Sequence, residues 1–175
     1  MTSGMKNTKI ELAKEFATKK FEEIKKKNHF LDVFHILQDE FDVHDETTLI
    51  AGLLHDTLED TSTTYEEISS VFSKEIANIV QEVSHPKNYN DQQKIEYYEK
   101  IKTISNGAKL IKMADFTSHM RNFIKIYERK EQHLFPKFSN NDKYVASIRE
   151  FLDHCDGLKG KHTLYKLTQE LESYF

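Results

Sequence analysis

Apolar positions recur every three or four residues in about eight separate runs, and each run predicts a helix. Ile10, Ala13, Phe16, Ala17, Phe21 and Ile24 define the first, from Lys9 to Lys27. The second runs from Leu31 to Phe41, with Val33, Phe34 and Leu37 inward. Asp45 caps a third, with Glu46 in its first turn. In this third helix Ile50, Ala51, Leu54 and Leu58 share one side while Leu49 and Leu53 lie nearly opposite, and a helix apolar almost all round belongs in a core. Thr64-x-x-Glu67 is a capping box opening a fourth, whose stripe is Ile68, Val71, Phe72, Ile76, Ile79, Val80 and Val83. Ser84–Asn90 breaks it, a polar helix Asp91–Ile104 follows, and Ser105-Asn106-Gly107 reads as a stop. Ala108–Lys130 is strongly amphipathic through Leu110, Ile111, Ala114, Phe123, Ile124 and Tyr127, with Asp115 beside the stripe, one turn beyond Ile111. After a loop over 131–141, Asn141–Cys155 and His162–Tyr174 close the chain.

Composition reinforces that pattern. Only 5 Gly and 2 Pro in 175 residues leave little punctuation for the many turns of a sheet, so the fold class is all-α. The length suits one domain over residues 1–175, and no repeat, linker or low-complexity segment divides it. A net charge of −4 gives no global basic footprint, which argues against a nucleic-acid coat or an anionic membrane surface. No apolar run approaches the roughly 18 residues of a membrane span, and the N-terminus has no signal-peptide h-region. The single cysteine, Cys155, forms no intramolecular disulfide and reads as structural, so a reducing, cytoplasmic setting is expected.

The chemistry concentrates at the end of the buried third helix. His55, Asp56, Glu59 and Asp60 place an imidazole and three carboxylates in an apolar setting, at a cost of several kcal/mol unless something pairs with them. A metal ion is the most economical partner. Glu59 falls one helical turn past His55, and Asp60 one turn past Asp56. His29 and Asp115, at the ends or inner faces of other helices, are further candidate ligands; imidazole with carboxylate suits a divalent transition metal that keeps positions open for water and a phosphate oxygen. A His-Asp pair alone says little: His44-Asp45 is another, and there Asp45 is a helix cap. His35, His85, His133, His154 and His162 read as surface or loop residues.

Three stretches carry a specific resemblance: Asn28-His29, Ala51-Gly-Leu-Leu-His-Asp-Thr-Leu-Glu-Asp-Thr61, and Lys112-Met-Ala-Asp-Phe-Thr-Ser-His-Met-Arg121. Over roughly residues 10–155, and in this order, they resemble the hydrolase motifs of the RelA/SpoT-like HD superfamily, and the free-standing small alarmone hydrolases in particular. The resemblance implies a single HD-domain helical bundle around a metal site. It implies His29, His55, Asp56 and Asp115 as metal ligands, usually of Mn²⁺, with Glu59 and Asp60 holding and activating the attacking water. The implied reaction removes the 3′-pyrophosphate of (p)ppGpp, a small-molecule nucleotide, to give GDP or GTP. Lys25, Lys26, Lys27, His119 and Tyr144 stand where the resemblance implies substrate contacts. Lys112 and Arg121, flanking Asp115, and Lys87 and Lys94, near the loop after the fourth helix, are further candidate phosphate cations; each of these lysines and Arg121 reads otherwise as a solvated surface charge. The chain departs from the family at His119, where an asparagine usually faces the nucleotide, and at Phe30, often proline. Those departures leave other substrates open, such as ppApp, another 3′-phosphorylated nucleotide or a 5′-nucleotide. A non-catalytic nucleotide-sensing module is the remaining alternative, although such a module is expected to lose a ligand or an acid.

Overall fold

The computed structural model describes residues 8–25, 28–85, 88, 90–134 and 141–175. The described residues are helical and loop in character, with no strand among them. The chain divides into two compact units, residues 1–88 and 89–175.

In the first unit Thr8 caps α1 (Lys9–Glu23), accepting from the Glu11 amide, and the helix ends two residues before Lys25, whose φ of 55° is left-handed. Lys26 and Lys27 lie outside the described residues. α2 (His29–His35) starts two residues earlier than its apolar spacing suggests, so His29 is its first residue rather than part of the preceding loop. It continues into a π-helical turn, Ile36–Glu40, closed by the Phe41 amide on the Ile36 carbonyl. The third predicted helix is two: α3 (Glu46–Leu54) and the four-residue α4 (Thr57–Asp60). The fourth is also two, α5 (Tyr65–Val71) and α6 (Lys74–Val83), because Ser73 adopts an extended backbone and caps α6 by accepting from the Ile76 amide. That restart resets the phase of the stripe. Val71 is consequently 44% exposed, while Ile76, Ala77, Val80 and Val83 face inward.

α3 is the axis of this unit. Asp45 caps it through the Thr48 amide (2.8 Å) and hydroxyl (2.6 Å). Every residue from Thr48 to Leu54 is buried, and α1, α2 and α6 pack around it. Ile50, Leu53 and Leu54 are fully enclosed, each contributing on the order of 2 kcal/mol from apolar burial. Phe30 adds a stacked contact with Phe21, ring centroids 5.2 Å apart, tying α2 to α1.

In the second unit Asn90 and Gln93 form a reciprocal capping box that opens α7 (Asp91–Ile101). Ser105-Asn106-Gly107 is the start of a helix rather than a stop: Ser105 caps α8 (Asn106–Glu128) by accepting from the Ala108 amide. Residues 111–118 of α8 are all buried, wider than the single apolar stripe, because Lys112, Asp115, Thr117 and Ser118 go inside with the hydrophobes. α9 (Asn141–Leu152) and α10 (Lys161–Glu172) complete the unit; α10 packs on both α8 and α9, and α7 on α9. Arg149 fixes α9 to α10 with paired bonds to the Glu172 carboxylate, both 2.7 Å. Cys155 is fully buried, its thiol donating to the Phe151 carbonyl, and burial pushes its pKa up to about 11.

Candidate functional site

The break between α3 and α4 builds the centre of the first unit. α3 ends with carbonyls that have no helical partner, and side chains take them. The His55 ring donates through Nδ1–H to the Gly52 carbonyl (2.8 Å), and the Thr57 hydroxyl donates to the Leu54 carbonyl (2.7 Å). Asp56, at φ −92° and ψ −2°, turns the chain into α4. The Thr61 hydroxyl then donates to the Thr57 carbonyl (2.7 Å) and pairs with Thr63, which ends α4 within a single turn. His55 and Asp56 are thereby held at the junction of two helices rather than along one.

His29 arrives from the first turn of α2, its ring 5.4 Å from that of His55 and nearly edge-on. One ligand atom from each of His29, His55 and Asp56 lies within 4.8 Å of the others. These residues fit a cation. His55 gives its Nδ1–H to a carbonyl, so in the neutral ring Nε2 carries a lone pair; Nε2 stands 3.2 Å from Asp56 Oδ1, itself an acceptor. In the neutral ring these two acceptors face each other in a site where His55 is 2% exposed, an opposition that a cation beside both would relieve. The bond from Nδ1 to a backbone carbonyl is the outer contact that orients a ligating imidazole.

One turn on, Glu59 and Asp60 are both half-buried. The Glu59 carboxylate is held from the end of α6: the His85 main-chain N–H donates to Oε1 (2.9 Å), and the His85 ring Nε2 lies 3.3 Å from Oε2. His85, which reads from sequence as a surface or loop residue, therefore touches Glu59. The two residues are 26 positions apart, and no local pattern in the chain links them. His35, by contrast, is exposed and pairs with Asp39 on its own helical stretch, as a surface residue.

Asp115 belongs to the second unit, on α8. Asp115 is 5% exposed, and its Oδ2 accepts from Lys112 Nζ at 2.6 Å, one turn earlier on α8. Lys112 is itself buried, with Nζ 4.8 Å from the centre of the Phe116 ring and 5.6 Å from that of Tyr97. Burial alone would lower the Lys112 pKa, but Asp115 and Tyr97 outweigh it and hold the ammonium well above its usual value. His119 Nδ1 lies 3.6 Å from Asp115 Oδ1, and its side chain is 46% exposed. Tyr144, on α9, meets Phe116 and Phe123 edge-on at 6.2 and 5.7 Å. Its desolvated hydroxyl, facing Tyr98 and Asp115, has a pKa raised well above the ordinary phenol value. Arg121 is half-buried, and Lys25 and Lys94 are exposed. Lys26, Lys27 and Lys87 lie outside the described residues. The Tyr97 and Phe116 rings beside Lys112 escape sequence reading, since aromatic residues at these spacings read equally well as plain core.

Residues 10–141 match the HD domain family. The chain is 41% identical over 99 residues to guanosine-3′,5′-bis(diphosphate) 3′-pyrophosphohydrolase MESH1 of Danio rerio, covering 54% of this chain and 53% of that protein. It is 34% identical over 119 residues to MESH1 of Homo sapiens, covering 63% and 66%. Against guanosine-3′,5′-bis(diphosphate) 3′-pyrophosphohydrolase of Aquifex aeolicus it is 32% identical over 133 residues, covering 71% of this chain and 19% of the relative. The match spans about half the length of the Danio rerio relative. The solved structure of a metazoan orthologue of SpoT that hydrolyses ppGpp superimposes with a TM-score of 0.71 at 24% identity, covering 99% of this chain and 97% of that one; the likeness is one of fold.

Proposed function

Because the chain belongs to the HD domain family, we propose that it is a metal-dependent phosphohydrolase that removes the 3′-pyrophosphate of (p)ppGpp, releasing GDP or GTP and pyrophosphate. The observation that carries the reading is the convergence of His29, His55 and Asp56 within 4.8 Å, with Glu59 and Asp60 one turn away. The names of the MESH1 relatives supply the substrate.

In this reading His29, His55, Asp56 and, by the resemblance of its motif, Asp115 hold a divalent cation, Mn²⁺ in the first instance. When bound, such an ion supplies Lewis acidity toward a phosphate oxygen and lowers the pKa of water. Glu59 takes the proton of the attacking water at a carboxylate oxygen, and Asp60 orients that water. Water oxygen forms a bond to the phosphorus next to the ribose; the bond from that phosphorus to the 3′-oxygen breaks, and the 3′-oxygen leaves with a proton as the free hydroxyl. Lys25, Lys26, Lys27, His119, Arg121 and Tyr144 contact the nucleotide or its phosphates. Lys112, committed to Asp115 at 2.6 Å, serves the site by fixing that carboxylate. The substrate is a small nucleotide, the working unit is a single HD domain, and the setting is cytoplasmic. Among the described residues no helix is long and apolar enough to cross a membrane.

Purified protein with Mn²⁺ is expected to release pyrophosphate from ppGpp, and Glu59→Gln to abolish release while the metal is retained. Absence of turnover across a panel of 3′-phosphorylated nucleotides refutes the reading. His119, standing where the family has asparagine, favours a second substrate reading, hydrolysis of ppApp or a related nucleotide. Equal or faster turnover of the adenine substrate selects it.

A further inference from the structure

We propose that His85 is a positioning residue for Glu59, its ring setting the direction in which that carboxylate faces the attacking water. The proposal rests on the hydrolase reading above. Its basis is the way α6 delivers the residue. Ile76, Ala77, Val80 and Val83 seat α6 in the core, where it packs on α3. The Ser84 hydroxyl donates to the Val80 carbonyl (2.7 Å) and its amide bonds the same carbonyl (3.2 Å), which finishes the helix and turns the backbone extended at φ −77°, ψ 147°. His85 follows immediately and grips Glu59 at both oxygens, by its amide on Oε1 (2.9 Å) and its ring on Oε2 (3.3 Å). A carboxylate accepts only, so the ring nitrogen facing it bears the hydrogen.

A glutamate on a four-residue helix has three side-chain torsions to fix, and a base acts only from the correct lone-pair direction. The amide contact fixes one oxygen. The ring fixes the second, which removes rotation of the carboxylate about its terminal bond. With the Glu59 side chain 12% exposed and that of His85 26%, water competes weakly for this contact. The main-chain contact is available to every residue at 85 except proline, so the Ala, Gln and Phe variants isolate the ring.

The test uses the full chain with Mn²⁺ and compares His85→Ala, His85→Gln and His85→Phe. Gln keeps an N–H at the reach of Nε2, whereas Phe keeps the ring volume without a donor. We expect kcat on ppGpp to fall about 10- to 100-fold in the Ala and Phe variants, with KM, Mn²⁺ affinity by calorimetry and Tm unchanged. His85→Gln is expected to recover most of the rate. Full kcat in His85→Ala, or recovery by Phe rather than Gln, overturns the proposal. A loss confined to KM overturns it too, since it makes His85 a substrate contact. Should Glu59→Gln be inactive while His85→Ala is fully active, the positioning role fails and the hydrolase reading stands. If the unsubstituted protein turns over none of the nucleotides, both fail.

Discussion

Asp56→Asn separates the charge logic of the donor cluster from its effect on folding. Asp56 Oδ1 lies 3.2 Å from His55 Nε2, and the other nitrogen of that ring, Nδ1, is committed to the Gly52 carbonyl. An asparagine at 56 can turn its NH₂ toward Nε2 and replace two opposed acceptors with a hydrogen bond, a net gain of about 1 kcal/mol. In a chain of 175 residues that corresponds to a rise of roughly 2–4 °C in Tm. With Mn²⁺ at about 100 times its Kd the unsubstituted protein gains about 2.7 kcal/mol, or roughly 5–11 °C. The variant lacks the anionic donor and is expected to gain well under half of that at the same Mn²⁺ concentration. The two proteins therefore exchange rank: Asp56→Asn melts higher in EDTA and lower in saturating Mn²⁺. Thermal melts at pH 8, followed by circular dichroism with and without metal, read both orders in one experiment. A variant that melts lower in EDTA yet keeps the full Mn²⁺ gain refutes the account, because Asp56 would then be a structural carboxylate with no part in binding the ion.

Three further outcomes follow from the packing. Phe30→Ala removes a ring that is 1% exposed and stacked on Phe21, and should lower stability by about 3–5 kcal/mol in urea titrations. Lys112→Met leaves the buried Asp115 carboxylate without its cation and should cost about 3–5 kcal/mol, whereas the double change Lys112→Met, Asp115→Leu should recover much of the loss; urea midpoints of the two variants decide this. Cys155, with its pKa raised from 9.0 to about 11, holds its proton in the folded chain after the unfolded chain has released it. Its contribution to stability is complete below pH 9 and is lost as pH rises toward 11, by about 2 kcal/mol there. The stability difference between the unsubstituted protein and Cys155→Ala should narrow accordingly over that range, and the native thiol should resist iodoacetamide at pH 8.

The elements legible in sequence are those decided by apolar area. Leu49, Ile50, Ala51, Leu53 and Leu54 leave α3 no polar face, and the helix is buried on all sides as that pattern requires. What escapes is decided by single hydrogen bonds. Nothing among His55, Asp56 and Thr57 breaks a helix intrinsically; α3 stops because two side chains take its last carbonyls. Ser73 sits inside an apolar stripe, and only its extended backbone and its bond to the Ile76 amide show that the stripe belongs to two helices. Ser105-Asn106-Gly107 has the composition of a stop and equally that of a start, since serine caps and glycine punctuates at either end. His55 and Asp56 stand out in the sequence because their types are costly in an apolar setting, whereas His29 becomes a candidate ligand chiefly through the resemblance of its motif. His85 does not stand out, because its meeting with Glu59 depends on where α6 ends rather than on any spacing.

The interruption between α3 and α4 also sets where this sequence can drift. From Thr48 to Leu54 every residue of α3 is buried, so a change of size or polarity there is selected against whatever the protein's task. From Leu58 to Asp60 the side chains are half-buried on a single turn whose own backbone bonds are few. Substitutions on that turn leave α3 and its donors in place. Divergent descendants of this chain should therefore vary Glu59 and Asp60 well before they lose His55 and Asp56 beside them.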